Sequence, residues 1–320
     1  MKIFVAGATG VLGRSLVPEL VARGHEVVGM TRSTSNQDLV RSLGARPVVA
    51  DALDPDAVAQ AVASAEPEVI VHELTALSGK MSARDMRQPD RSPMAAMTNR
   101  LRTEATDHLL AAGRAVGARR FVAQSFGAFR WARAGGPVLT EADPIDPDPP
   151  KGLRTPLVGI LHVERTVPAI EWGEGVVLRY GGFYGPGTAI SRAPDAPMAR
   201  AIRKRMFPII GGGGGVWSHV HIDDAAAATA AAVDGGESGV YNIVDDEPAP
   251  VREWLPALAS ALGAKPPRRI PRWLGQLAAG ETATLMMTDS RGSSNEKAKR
   301  ELGWKPRYSS WRQGIVEGLG

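Results

Sequence analysis

The sequence of 320 residues predicts an α/β protein: a doubly wound parallel sheet with a smaller mixed α/β domain. Short β-rich runs alternate with helical patterns through the first half, which is the order of βαβ units. Several of these runs are apolar almost throughout, as strands buried on both faces of a parallel sheet are. A glycine-rich turn follows the first run directly and opens the first helical pattern.

The first half supplies most of the predicted sheet. Its strands are expected, in order, in KIFVAG, HEVVGMT, RPVVA, PEVIVHEL and RRFVAQS. LGRSLVPELVARG has helical spacing, and residues 98–116 form the longest predicted helix of this half. Five prolines between residues 143 and 157 are expected to interrupt any regular element there.

The second half begins with a predicted helix from about Leu157 and the strand GVVLRYG. A glycine run covers residues 211–215, and an alanine-rich helix over residues 225–232 should be capped by Asp223 or Asp224. We divide the chain into a dinucleotide-binding domain, residues 1–186, and a substrate domain, residues 187–320. A strand near residues 239–244 is expected to return to the first domain.

Composition excludes several classes of protein. Apolar residues make up 43% and charged residues 22%, which is typical of a globular protein. The 38 basic and 34 acidic residues leave a charge of +4 that is spread along the chain, and no motif for reading nucleic acid accompanies it. The chain has no cysteine, so disulfides and thiolate catalysis are excluded. With neither a signal peptide nor a membrane span in view, we expect a cytoplasmic enzyme with a small-molecule substrate.

The stretch GATGVLG at residues 7–13 carries the strongest local signal. Gly7 permits a tight turn after the strand, and Gly10 lets backbone N–H groups approach a pyrophosphate. Gly13 lets the helix pack closely on the strand. Because the motif lies between a predicted strand and a predicted helix, it indicates dinucleotide binding.

The end of the second predicted strand bears on which dinucleotide is bound. Where an NAD-binding protein places a carboxylate for the ribose hydroxyls, this chain has Thr31 followed by Arg32. A guanidinium pairs with a 2′-phosphate, so NADP is favoured and NAD is the alternative; Arg32 could also be an ordinary surface arginine. Asp51, at the end of the third strand, either meets the adenine edge or caps the helix that starts near Asp54.

Six stretches together resemble the extended short-chain dehydrogenase/reductases of the NAD(P)-dependent epimerase/dehydratase type, which have a Rossmann fold. They are VAGATGVLG (5–13), ADALDPDAV (50–58), RRFVAQS (119–125), LRYGGFYGPG (178–187), WSHVHIDDAA (217–226) and KAKRELGWKP (297–306). The resemblance covers nearly the whole chain and is more specific for fold and cofactor than for reaction. We expect the cofactor to be bound by Gly7, Thr9, Gly10, Val11, Leu12, Gly13, Arg32, Asp51, Ala52, Leu74 and Gly182.

The resemblance implies a serine or threonine after the fifth strand, and a tyrosine whose pKa a nearby lysine lowers. Ser125 matches the serine. Counting back from Glu164, which resembles a glutamate of many members, the tyrosine and lysine positions fall on Pro156 and Ile160. Tyr184, Lys151 or a water relayed through Ser125 could replace them, and we name Ser125 and Tyr184 as the candidate catalytic residues.

Two further departures concern the substrate. Members that act on nucleotide sugars carry an asparagine and an arginine where this chain has Gly182 and Trp217. An indole offers a flat apolar wall in place of a clamp for phosphate, so a non-nucleotide substrate that contacts Trp217 and His219 is expected. His219, His221, Asp223 and Asp224 could be read as a metal cluster, but a strand that runs into a capped helix explains them better, and no metal is expected.

The leading prediction for function is an NAD(P)-dependent oxidoreductase or hydride-shuttling isomerase with non-standard proton transfer. The alternatives are a protein that binds the cofactor without redox turnover and a nucleotide-sugar epimerase or dehydratase. The resemblance also implies a homodimer, formed by the helix at residues 98–116 and the helix that follows Leu157.

Overall fold

A computed structural model describes residues 1–77, 92–127 and 135–320. The described strands are, in chain order, β1 (Lys2–Ala6), β2 (Glu26–Thr31), β3 (Arg46–Val49), β4 (Val69–His72), β5 (Arg120–Phe126), β6 (Val138–Leu139), β7 (Glu174–Tyr180), β8 (Gly182–Tyr184), β9 (Ile209–Ile210), β10 (Val216–Trp217), β11 (His219–His221), β12 (Gly239–Ile243), β13 (Ala249–Pro250), β14 (Arg269–Ile270) and β15 (Gly292–Ser293). The short strands β6, β8–β11 and β13–β15 form separate pairs.

The described α-helices are α1 (Val11–Ala22), α2 (Gln37–Ser42), α3 (Pro55–Ala65), α4 (Pro93–Arg102), α5 (Glu104–Val116), α6 (Lys151–Thr166), α7 (Pro197–Arg203), α8 (Ile222–Asp234), α9 (Val251–Ala261), α10 (Arg272–Thr288), α11 (Glu296–Glu301) and α12 (Trp311–Glu317). None of them combines the length and the apolar character needed to cross a membrane.

Seven parallel strands form the central sheet in the order β12-β7-β5-β4-β1-β2-β3, which confirms the predicted doubly wound sheet. The chain adds β2 and β3 on one side of β1 and then crosses back to place β4 on the other side. In such sheets, ligands bind beyond the carboxyl ends of the strands at this reversal. The register sets Ala6 beside His72, so Gly7 and Glu73 follow the two strands into the crevice together.

Apolar clusters cover both faces of the sheet. One cluster joins the sheet to α1 and α8 through residues such as Leu16 and Ala228. The other joins it to α3 and α5 through residues such as Val62 and Leu109. A third cluster, around Trp254, forms the core of the C-terminal part. The crevice at the sheet's carboxyl edge therefore lies on a rigid support.

The predicted long helix at residues 98–116 is wrong in one respect, because the structure has two helices there. The break is at Thr103, whose hydroxyl donates to the Asn99 carbonyl at 3.0 Å. Its φ and ψ angles are −101° and −78°. A side chain that bonds to the preceding turn in this way weakens the continuity of a helix, which an analysis of periodicity cannot detect.

Two further local predictions were wrong. The helix α6 begins at Lys151, inside the proline-rich stretch, and contains Pro156. Pro156 is the sixth residue of this helix, so its missing N–H removes one intrahelical bond, the one to the carbonyl four residues earlier. The cap of α8 is His221, whose Nδ1 accepts from the Asp223 N–H at 3.2 Å, rather than Asp223 or Asp224.

Asp223 and Asp224, at the start of α8, bond to other parts of the chain. Asp223 accepts from the Ser15 hydroxyl at 3.0 Å and so joins α8 to α1. The Asp224 carboxylate accepts from the backbone N–H groups of Arg307 and Tyr308, at 2.6 and 3.0 Å. Among the described residues, no group of three or more histidine or acidic side chains could hold a metal ion.

Candidate active site

The glycine-rich turn has the close backbone packing that a pyrophosphate cradle needs. Gly7 has a φ of +103°, which side chains rarely tolerate, and the Gly10 N–H donates to the Gly7 carbonyl at 2.9 Å. A Cβ on Gly13 would lie 2.6 Å from the Ala8 carbonyl oxygen and closer still to that of Gly7. Since α1 begins directly after Gly10, its free N–H groups point into the crevice, and these residues fit a dinucleotide.

The end of β2 presents a cation beside several hydroxyl groups. Thr31 is buried, and its hydroxyl oxygen accepts from the Ser33 N–H at 3.3 Å. The Ser33 and Ser35 hydroxyl oxygens lie 2.7 Å apart. Arg32 stands exposed between the strand and this turn. Donors of this kind fit a 2′-phosphate.

Asp51 and Asp54 have different roles in the loop after β3. Asp54 caps α3, because its carboxylate accepts from the N–H groups of Asp56 and Ala57 at 3.0 and 3.1 Å. Asp51 instead accepts from the Leu53 N–H at 3.0 Å and stays exposed. The cap is therefore not its role, and contact with the adenine edge remains the prediction for Asp51.

Three further predicted cofactor residues bond through their backbone carbonyls to side chains of α1, α5 and β5. The Ala52 carbonyl lies 3.1 Å from His108 Nδ1, and the Leu74 carbonyl accepts from the Gln124 side chain at 3.3 Å. Thr9 contributes its carbonyl to the Arg14 guanidinium at 3.0 Å. These bonds hold the rim of the crevice in place.

Glu73 is a residue of the crevice that the sequence reasoning missed. The Tyr180 hydroxyl lies 3.0 Å from Glu73 Oε1 and 2.7 Å from Thr229 Oγ1, and Thr229 donates to the Ala225 carbonyl at 2.7 Å. These are three hydrogen bonds, but the hydroxyl groups of Tyr180 and Thr229 have only two hydrogens between them. We infer that the Glu73 carboxyl is protonated and supplies the third hydrogen.

Burial raises the pKa of Glu73 to about 8, which agrees with a neutral carboxyl. A Cβ on Gly7 would lie 2.9 Å from the Glu73 carbonyl carbon, so this carboxyl group belongs to the residue directly beneath the glycine turn. A neutral group there does not repel an anionic pyrophosphate. A glutamate at the end of the apolar run VIVHE was the available signal.

Ser125 belongs to a buried network at the end of β5. Its hydroxyl donates to Glu164 Oε1 at 2.7 Å. The Arg179 guanidinium binds the same carboxylate with two N–H groups, each at 2.9 Å. Side chains of Arg179 and Glu164 are only 7% and 6% exposed. The Ser125 hydrogen is thus committed to a carboxyl group that an arginine also binds, which leaves the Ser125 oxygen able only to accept a further hydrogen bond.

On α6, Ile160 lies one helical turn before Glu164 and is buried. Helix α4 brings a second cation beside this part of α6: Arg102 is 6% exposed and donates to Gln124 Oε1 at 3.1 Å. Its Nε has no hydrogen-bond partner within the described chain. Burial lowers the pKa of Arg102 to about 10, so it stays charged at neutral pH.

Gly159 lets the two helices approach this closely. A Cβ there would lie 2.7 Å from Asn99 Oδ1 and 3.0 Å from Arg102 Cβ. Sequence reasoning missed Arg102 because only the packing of α4 on α6 brings it beside the position where a lysine was expected.

The predicted substrate residues Trp217 and His219 lie close to Gly182, which is a predicted cofactor residue. Strands β8 and β11 pair with His219 opposite Gly182. Trp217 donates its indole N–H to the Met286 carbonyl at 2.7 Å, and its ring centroid lies 6.3 Å from that of His219. Complete burial lowers the pKa of His219 to about 4, so its imidazole is neutral at pH 7.

Tyr184 lies deeper in the C-terminal part and is 1% exposed. Its hydroxyl faces α12, where Gly314 leaves it room. Burial raises the pKa of Tyr184 well above its usual value, so it holds its proton tightly. The structure therefore brings Ser125 to Glu164 and His219 to Gly182, and it packs Tyr184 into the core around Trp254.

Comparison with known proteins supports the fold and the cofactor class. The profile of an NAD(P)H-binding family matches residues 7–142. The chain is 45% identical to a 3-diazoavenalumate denitrifying reductase from a Streptomyces species, over 98% of this chain and 99% of that protein. It is 26% identical to a ketoreductase from Stigmatella aurantiaca that acts on a farnesyl dihydroquinoline oxide, over 98% and 95%.

Among solved structures, the UDP-glucose 4-epimerase of Thermotoga maritima, determined with UDP-glucose, has the same fold. It superposes with a TM-score of 0.73 at 21% identity, covering 100% of this chain and 97% of that one. At this identity the likeness concerns the fold and not the substrate.

Proposed function

Since the chain belongs to the extended short-chain dehydrogenase/reductases of the NAD(P)-dependent epimerase/dehydratase type, we propose that it reduces a diazo carboxylate. Its relatives are enzymes of the oxidoreductase and epimerase kinds. The substrate would lose its diazo nitrogen as N2, and NADPH would be the source of the hydride. The substrate class follows the name of the reductase that is 45% identical to it. The flat apolar wall at Trp217 supports a planar, non-nucleotide framework.

The chemistry of this substrate explains why a tyrosine and a lysine are dispensable. Reduction of a ketone leaves an alkoxide, which must take a proton from an acid. A diazonium ion, R–N2⁺, instead takes the hydride at its terminal nitrogen and becomes R–N=N–H. The C–N and N–H bonds then break, N2 leaves, and the hydrogen passes from the terminal nitrogen to carbon as the C–H bond forms. R–N2⁺ and H⁻ therefore give R–H and N2 with no net uptake of a proton from the protein.

The observation that carries this proposal is the helix α6, which has Pro156 and Ile160 at the predicted tyrosine and lysine positions. Ser125 adds to it, because its hydrogen is already donated to Glu164. When NADPH is bound, it supplies the hydride. The glycine turn at residues 7–13 would hold its pyrophosphate, and Arg32 would pair with its 2′-phosphate.

A tracer experiment tests the reaction. We expect NADPH deuterated at one face of C4 to deliver deuterium to the product carbon, with one N2 released for each NADPH oxidised. Only one of the two C4 epimers should deliver deuterium, since an enzyme presents one face of the nicotinamide, whereas reduction free in solution uses both. Solvent deuterium should not enter the product.

Two outcomes would contradict the proposal. Oxidation of NADPH by ketones without any release of N2 from diazo carboxylates would make the protein a carbonyl reductase. Tight NADPH binding without oxidation by either class would favour the second candidate, a cofactor-binding protein without redox turnover.

The preference for NADP over NAD is part of the proposal and depends on Arg32. Replacing Arg32 with alanine should raise the Kd for NADPH about 10- to 100-fold, because a charge-assisted bond to phosphate is lost. The Kd for NADH should change less than about twofold. Isothermal titration measures both. Arg41→Ala, which removes an exposed arginine bound to Asp38 on α2, is the control; equal losses for both cofactors in Arg32→Ala would overturn the assignment.

The homodimer, the domain boundary at residue 186 and the cytoplasmic location stay predictions. Supporting the dimer, α5 and α6 are linked side by side by His162 Nε2 and an Asp107 oxygen at 2.7 Å. The neighbouring Val158 is 60% exposed. A pair of helices with an exposed apolar residue is the kind of surface that a partner subunit covers.

A further inference from the structure

Two segments of the C-terminal part, residues 196–211 and 262–280, carry cations and no anions, and together we call them the basic surface. Each segment has four basic residues and no acidic one. The eight are Arg200, Arg203, Lys204, Arg205, Lys265, Arg268, Arg269 and Arg272. Since the whole chain has a net charge of only +4, the rest of it is net negative.

Strand pairing brings the two segments together. Strand β9 belongs to the first segment and pairs with β14 of the second. The Ile209 N–H donates to the Arg268 carbonyl at 2.8 Å. Because the two strands are parallel, the residues that lead into them, 203–208 and 265–268, lie at the same end of the pair. The cations of both segments therefore belong to one continuous surface.

Most of these cations lack an acidic partner. Seven of the eight are exposed, and Arg205 is half-buried. Within the described part of the chain, Arg272 alone among them has an ion pair, with Asp289 at 2.8 Å. Exposed charges of one sign that lie close together repel one another. They also raise the local concentration of anions, so the basic surface favours a negatively charged partner.

Three apolar side chains project beside these cations. Helix α10 lies on the strand pair, because a Cβ on Gly275 would overlap the Ile210 side chain. Trp273 and Leu277, one turn apart on this helix, are 67% and 73% exposed, and Met206, in the loop before β9, is 70% exposed. They are the most exposed large apolar side chains of the described residues. A helix with exposed tryptophan and leucine beside arginines has the composition of one that lies at a membrane interface.

The single sign of charge distinguishes among anionic partners. The surface of a protein mixes acidic and basic groups, whereas a bilayer that contains anionic lipid is negative throughout. A nucleic acid is also negative throughout, but exposed leucine and methionine side chains add nothing to contacts with phosphates. The outer acyl region of a bilayer accepts such side chains.

We propose that the basic surface binds anionic phospholipid at the face of a membrane. Trp273 and Leu277 enter the interface, and the arginines and lysines bind the headgroup phosphates. Binding of this kind is peripheral and reversible. Helix α10 also carries Met286, whose carbonyl accepts from the Trp217 indole at 2.7 Å. The docked helix therefore borders the predicted substrate residues.

Co-sedimentation of the full protein with lipid vesicles tests the binding. We expect it to bind vesicles of phosphatidylcholine mixed with phosphatidylglycerol, and not vesicles of phosphatidylcholine alone. High salt should release it, because ions screen the attraction between exposed charges. Absence of binding to the mixed vesicles at low salt, or equal binding to both kinds, would overturn the proposal. Neither result depends on whether the protein reduces diazo compounds.

Variants test whether the basic surface is the part that binds. The double variant Arg268→Gln and Arg269→Gln should bind the mixed vesicles about 25-fold more weakly, about fivefold for each charge removed. Arg41→Gln with Arg300→Gln is the matched control, since it removes the same net charge at exposed sites on α2 and α11. The control should change binding less than about twofold. Equal losses in both double variants would show that net charge alone matters and would contradict the assignment.

Fluorescence tests the place of Trp273. On the mixed vesicles, the emission of the wild type should shift to shorter wavelength as this indole leaves water. Trp273→Phe should abolish the shift, whereas Trp172→Phe, at a half-buried indole that packs on Gly113 of α5, should keep it. A shift that survives in Trp273→Phe would contradict insertion at α10. Tighter binding to a single-stranded oligonucleotide than to the mixed vesicles would assign the basic surface to nucleic acid and overturn the proposal.

Discussion

Replacing Gly13 with alanine is expected to raise the Kd for NADPH by at least about 100-fold, or to abolish measurable binding. The added Cβ would lie 2.6 Å from the Ala8 carbonyl oxygen and closer to that of Gly7. Both contacts are backbone atoms of the turn itself, so neither can move aside without changing its shape. The N–H groups that face the pyrophosphate would move with them. Titration of NADPH, followed by quenching of tryptophan fluorescence, measures the loss.

A second glycine provides the matched control. A Cβ on Gly212 would meet no atom within 4 Å, and its φ is not in the left-handed region. Gly212→Ala should therefore bind NADPH like the wild type. Circular dichroism separates loss of binding from loss of fold in Gly13→Ala. A folded Gly13→Ala protein whose Kd is within about fivefold of the wild type would refute the role given to the turn.

The sequence predicted the sheet well because the signals for it are local. Each central strand is a short apolar run, and burial on both faces requires such a run wherever the strand lies in the order. The glycine turn is equally local, since Gly7, Gly10 and Gly13 act on atoms within a few residues of themselves. The parallel arrangement of the strands also follows from the alternation of strands and helices.

The polar contacts of the site could not be predicted in the same way, because they join distant parts of the chain. Ser125 and Glu164 are 39 residues apart, and Tyr180 and Glu73 are 107 apart. The protonated state of Glu73 depends on burial between elements that the sequence does not place. His221 as the cap of α8 is a smaller case, since two aspartates beside it were the more usual candidates.

The two predicted catalytic residues differ in where they lie and in whether their hydroxyl hydrogen is already bound. Ser125 lies at the carboxyl end of β5, where the fold places ligands, but its hydrogen is bound to a carboxylate. Tyr184 retains its hydrogen, but it packs in the core of the C-terminal part. Neither residue therefore has a proton ready to donate into the crevice. A reaction that is completed by loss of N2 does not need one.

Replacing Glu164 with alanine is expected to destabilise the protein by about 3–5 kcal/mol. The Arg179 guanidinium would remain buried without the carboxylate that now takes two of its N–H groups at 2.9 Å each. The loss of these two charge-assisted bonds in a poorly solvated site accounts for the destabilisation. Urea unfolding at pH 7, followed by circular dichroism, should show the midpoint move with little change in slope.

Two comparisons separate the buried charge from the mere loss of a side chain. Glu104→Ala removes an exposed glutamate that pairs with Arg100, and it should change the midpoint far less. The double variant Glu164→Leu and Arg179→Met removes both charges and should recover most of the lost stability, because apolar pairs often replace buried ion pairs at little cost. If the double variant were as unstable as Glu164→Ala, the lost free energy of unfolding would come from packing and not from an unpaired charge.

The same Glu164→Ala variant also distinguishes the two possible roles of Ser125. If Ser125 only accepts a hydrogen bond, freeing its hydroxyl should leave the rate of N2 release per folded molecule within about tenfold of the wild type. If Ser125 instead gives its proton to the substrate and is reprotonated by Glu164, that rate should fall by about 100-fold or more, as it does when a general acid is lost. Stability and turnover would then fall together, and the proton-free reaction would be excluded.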